Sequence, residues 1–131
     1  MTKKEIAKAE LMIPVPVRIQ RKRAKGYNMQ DHSYSINGLD CVYVGRPTKW
    51  GNPYRVGNIC QHPLSGKPIK VSSKNQAAGL FELKMGVASD FVIEEIKEEL
   101  AGKNLSCWCK EGSSCHADIL LAICNNSEGF G

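Results

Sequence analysis

The chain has 131 residues, room for one domain with a real core and too little for a second. Its hydrophobic fraction of 42% is ordinary for a globular protein, and no apolar run approaches the roughly 20 residues that span a bilayer, so a helical membrane protein is excluded. The formal net charge is +5, and no export-type apolar stretch precedes Pro14, so the expected compartment is the cytosol.

Residues 1–13 read as a short helix ended by Pro14 and Pro16. From Val15 to Arg23 the sequence alternates and carries a proline near its start, which predicts an edge strand with one basic face. Residues 1–25 thus form a basic N-terminal segment, with Lys3, Lys4, Lys8, Arg18, Arg21, Lys22, Arg23 and Lys25 against Glu5 and Glu10. An α/β domain is expected over 26–124, and a polar, disordered tail over 125–131. Inside the domain, residues 26–39 are rich in Gly, Asn and Ser and read as a loop. Leu39 to Gly45 reads as a buried strand centred on Val42, Tyr43 and Val44. Residues 45–70 hold most of the Gly and Pro, so they read as an ordered loop with a short strand at Tyr54-Arg55-Val56 and a surface excursion or hairpin over 61–70. Ser72 or Ser73 caps a helix running to Met85, and Ser89-Asp90 opens another to Leu100, with Phe91, Val92, Ile96 and Leu100 facing inward and Gly102 as its stop. Leu105 to Cys109 is a strand, and Ser114 or Cys115 opens a last helix through Cys124. This alternation gives the α/β class: a small single-domain sheet of three to five strands with helices packed on it.

Two blocks carry chemistry-bearing residues. In Cys107-Trp108-Cys109, strand geometry turns both cysteines to one face and the indole to the other. Cys115 stands where a helix begins, a position that favours a thiolate, with His116 next and Asp118 in the same turn. One reading is catalytic, with Cys109 or Cys115 as nucleophile and His116 as base or orienter beside Asp118. Another is metal binding: Cys107, Cys109, Cys115 and His116 are acceptable zinc ligands, although a C-x-C followed by a vicinal Cys-His is not the usual paired spacing, so no metal is assigned. A third is burial, cysteine being among the most buried residue types, and Cys41, Cys60 and Cys124 are assigned to it.

The second block is Gly45-Arg46-Pro47-Thr48-Lys49-Trp50-Gly51-Asn52-Pro53-Tyr54, a backbone made rigid by its glycines and prolines. On it Arg46 and Lys49 suit a phosphate, Trp50 a flat ring and Asn52 an edge, with Gly51 counted among the ligand-binding residues; Trp108 adds aromatic surface. The competing reading is a packed structural loop with Trp50 in the core. Each block follows a predicted strand, so the two are expected to meet at one edge of the sheet.

Together the blocks Val42 to Tyr54, Leu100 to Leu105, and Cys107-Trp108-Cys109 leading to Cys115-His116-Ala117-Asp118-Ile119-Leu120 resemble the domain-of-unknown-function family 4326 of bacteria and their phages. The resemblance covers residues 40–124 and implies no particular activity. The turn between Cys109 and Cys115 departs from the family pattern in lacking a proline and being slightly longer. The expected function is an enzyme acting on a nucleotide, nucleoside or nucleic-acid base. The alternatives are a non-catalytic nucleic-acid or nucleotide-binding module, drawing affinity from Arg18 to Lys25, and a zinc-stabilised interaction protein. The expected partner is a phosphate-bearing small molecule or nucleic acid, and not a membrane.

Overall fold

The computed structural model describes residues 15–110 and 112–125; the helix expected over 1–13 and the tail expected over 125–131 lie outside them, except Asn125, which ends the last helix. Arg18–Gln20 (β1), Cys41–Tyr43 (β2) and Asn104–Cys107 (β5) form a three-stranded parallel sheet in the order β1-β5-β2. Ile59–Gln61 (β3) and Pro68–Lys70 (β4) pair antiparallel as a separate hairpin, with Cys60 opposite Ile69. The helices are Met29–Asn37 (α1), Lys74–Gly86 (α2), Asp90–Leu100 (α3) and His116–Asn125 (α4).

Parallel strands require crossover connections, and the helices supply them: in chain order α1 lies between β1 and β2, while α2 and α3 lie between β2 and β5. The central strand β5 is buried at every position, as a strand flanked on both sides and covered on both faces must be. Around it, Val44, Phe81, Ile96, Leu100, Leu105 and Leu120 join one core cluster. Ser73 and Ser89 cap α2 and α3, their side chains accepting from Gln76 N and Val92 N, as the sequence leads one to expect. Gly102 adopts φ +76 just past the end of α3.

Three expectations are corrected. Residues 26–39 are not a loop, because they contain α1: Asn28 caps it by accepting from Asp31 N, and Gly38 at φ 77 closes it by donating to Tyr34 O. Tyr54-Arg55-Val56 is not a strand, since pairing begins only at Ile59. Phe91 and Val92 do not face inward: Phe91 is 78% exposed, because five residues of helix turn it about 140° from buried Ile96. Val92 is 37% exposed.

A polar network ties the far edge of the sheet. Asn104, fully buried, accepts from Val17 N (2.9 Å) and Asn37 Nδ2 (2.9 Å) and donates to Ser33 Oγ (2.8 Å). Truncation would leave Val17 N without its partner and take one hydrogen bond each from Ser33 and Asn37. Asn104→Ala is therefore expected to cost about 3 kcal/mol, read from the urea unfolding midpoint, with the opposite edge undisturbed. Among the described residues no helix is long and apolar enough to cross a membrane.

Candidate functional site

Because the sheet strands are parallel, the ends of β1, β2 and β5 at Gln20, Tyr43 and Cys107 share one edge. The segments that leave this edge include both sequence blocks. They enclose a pocket of about 480 Å³ whose walls include Arg46, Asn52, Trp108, Cys109, Cys115 and His116. The expectation that the blocks meet at one sheet edge matches this arrangement.

Cys107, Cys109 and Cys115 bring their three Sγ atoms within 4.8 Å of one another, a set that can hold a metal ion. Cys107 and Cys115 are buried with their sulfurs 3.2 Å apart, while Cys109 is half-buried and reached from the pocket. Hydrogen bonds from the Cys107 and Cys115 thiols hold Cys109 well below the ordinary thiol range, helped by the charges of Arg18 and Lys74. Cys107 is pushed upward by the same contacts. Burial, outweighing the opposing pull of Ser33 and Arg21 on Cys41 and of Lys97 on Cys124, pushes both thiols up to about 11, in keeping with their assignment to the core.

His116 opens α4 with its ring edge-on to Phe81, the centroids 5.5 Å apart. Its Nε2 lies 2.8 Å from Val44 O, which can only accept, so Nε2 carries the proton. Nδ1 is then the free acceptor, 3.6 Å from Cys115 Sγ. A thiol, an imidazole nitrogen and a carbonyl that fixes the tautomer form the chain used to move a proton on or off sulfur.

The pocket wall is strongly cationic. Arg46 donates from Nε to Asn52 O (2.9 Å) and from Nη2 to Tyr54 O (3.3 Å), which fixes the guanidinium at the wall. Loss of hydration, followed by the nearby Arg55, holds Arg46 below its ordinary value. Lys74 stands at the first position of α2 and lines the same pocket, where the helix terminus adds positive potential. Tyr43 and Tyr54 give aromatic surface. Tyr43 donates to Arg46 O (2.7 Å), and a Cβ on Gly45 would collide with its ring.

Other expected site residues stand elsewhere or play other parts. Asn52 lines the pocket, but its amide donates to Ala77 O (3.1 Å) and accepts from Tyr54 N (2.9 Å), so it welds the loop to α2. Lys49 turns away to Glu99 (2.7 Å) and Glu95 (3.1 Å) on α3 and lies 4.7 Å over the Trp50 ring. Lys49, Trp50 and Gly51 border a second hollow beside α3. Gly51 is needed for packing: a Cβ there would sit 3.2 Å from Arg46 Cα. Asp118 is not among the pocket-lining residues; it pairs with Arg18 at 3.3 Å. Arg55, Lys74, Tyr43 and Tyr54 are wall residues that sequence reasoning missed. Lys74 did leave a signal, because a cation in the first helical turn opposes the macrodipole.

The chain belongs to the family described as Domain of unknown function (DUF4326), whose model matches residues 19–126. The match takes in both blocks and extends toward the N-terminus beyond the expected 40–124, through β1 and the basic residues after it. No curated protein and no solved structure matches the chain.

Proposed function

We propose that this DUF4326 protein is an enzyme acting on a nucleotide, nucleoside or nucleic-acid base, with Cys109 as its nucleophile. The observation that carries the reading is a cluster of three cysteine sulfurs and His116 in the same pocket as three cations and three aromatic rings. Arg46, Arg55 and Lys74 receive phosphate, and Tyr43, Tyr54 and Trp108 receive the base. Cys107 and Cys115 flank the Cys109 sulfur, and His116 exchanges a proton with Cys115 through Nδ1. The thiols and His116 in the wall supply acid–base groups.

The test is a screen of nucleosides and nucleoside 5′-monophosphates by mass spectrometry, with Cys109→Ser and His116→Ala as comparators. Turnover by the wild type and its loss in Cys109→Ser supports the reading. Turnover undiminished in Cys109→Ser overturns it.

A second reading is favoured by one observation. Three sulfurs this close suit zinc, and His116 Nδ1 faces them while Nε2 donates to a carbonyl, the usual outer support of a metal-bound histidine. Zinc there would brace the β5–α4 junction. Protein purified without added metal is expected to contain no stoichiometric zinc on the first reading. Stoichiometric zinc, lost in Cys109→Ser along with thermal stability, establishes the second.

A further inference from the structure

We infer that the pocket takes its nucleotide from a single-stranded nucleic acid, whose chain runs over the basic segment Arg21–Lys25 at the pocket rim. The inference rests on the nucleotide reading of the pocket and names the form in which the ligand arrives.

Arg21 continues from the end of β1, and its N–H donates to Cys107 O (2.7 Å), so the segment is fixed to the end of β5 above the pocket. The Arg21 guanidinium lies 4.7 Å over the Tyr43 ring and 5.3 Å over Trp108. Arg23 lies 4.5 Å over Trp108, and the two rings meet edge to face at 6.5 Å. Both rings also line the pocket, so this column of guanidinium and aromatic groups is continuous with it. Trp108 is 40% exposed, more than packing alone requires of an indole.

The charge points the same way. Among the described residues Arg21, Lys22, Arg23 and Lys25 make no ion pair, whereas Arg18, Lys49 and Lys97 each have a carboxylate partner. Arg46, Arg55 and Lys74 inside already suffice for the phosphate of one nucleotide. Arg21 and Arg23 over the rim rings, with Lys22 and Lys25 next to them in the chain, add cations that match a run of phosphates. Guanidinium planes and indoles stack on any base face, and a single strand presents those faces whereas a duplex hides them. An acidic peptide would use the cations but has no need of the stacked column.

The test measures fluorescence anisotropy of a labelled single-stranded oligonucleotide, as DNA and as RNA, against its duplex, poly-glutamate and a nucleoside 5′-monophosphate, over a salt series. The single strand is expected to bind, as one or both sugars. Arg21→Ala/Arg23→Ala is expected to weaken it about tenfold and to lower the salt slope by about 1.4, at roughly 0.7 for each phosphate-binding cation removed, with a smaller effect on the monophosphate, whose phosphate stays on Arg46, Arg55 and Lys74. Arg21→Lys/Arg23→Lys is expected to keep the slope and still lose affinity, because the stacking plane is gone. Monophosphate binding without single-strand binding overturns the inference and leaves the pocket reading standing. Equal binding of duplex or poly-glutamate also overturns it. Failure of every nucleotide ligand removes both.

Discussion

Alkylation of Cys109 by iodoacetamide is expected to run at nearly constant rate between pH 5 and pH 7, while a free thiol such as glutathione speeds up about a hundredfold over that interval. The sign follows from the cluster. A thiol left at its ordinary value gains about tenfold in thiolate for each pH unit below that value. Cys109 is pushed well below this range by its contacts with Cys107 and Cys115, so it is expected to be ionised already at the acid end. The absolute rate is a poor readout, since a thiolate of low pKa is also a weaker nucleophile. The shape of the profile is the signature. Cys115→Ala removes one donor and is expected to move the inflection upward. A wild-type profile as steep as that of glutathione contradicts the assignment.

Replacing Arg55 and Lys74 together by alanine is expected to weaken nucleoside monophosphate binding about a hundredfold, at about tenfold for each cation withdrawn from the phosphate. Both residues are exposed, and neither makes an ion pair among the described residues, so the fold does not depend on them. Thermal stability is expected to hold or rise slightly, because alanine removes a cation from the positive end of α2. Arg46 is a poorer target, since its guanidinium also fixes the loop through Asn52 O and Tyr54 O. Loss of stability in the Arg55/Lys74 variant, or unchanged affinity, contradicts the placement of phosphate.

Much of this was legible in the sequence for local reasons. Ser73 and Ser89 announce α2 and α3, and the apolar centre of the Leu39 to Gly45 stretch marks β2. The joining of the two blocks was legible because both follow strands, and parallel pairing with β5 brings their ends together. What stayed hidden depends on partners distant in sequence. Nothing near Lys49 shows that Glu95 and Glu99 will face it, so a paired cation read as a free one. Asp118 misled in the same way, being drawn to Arg18 across the sheet edge. The first helix was hidden by its own composition: it buries only Ser33, so it has no apolar stripe, and its caps Asn28 and Gly38 read as loop residues.

The central claim is that a nucleotide-class ligand sits beside the Cys109 thiolate, and protection of that thiolate tests it most directly. Cys109 alkylation is followed by peptide mass mapping in the presence of each nucleoside 5′-monophosphate over a concentration series. At least one is predicted to slow the reaction saturably in the wild type, and far more weakly in Arg55→Ala/Lys74→Ala. A rate unchanged by every nucleotide at millimolar concentration would contradict the claim.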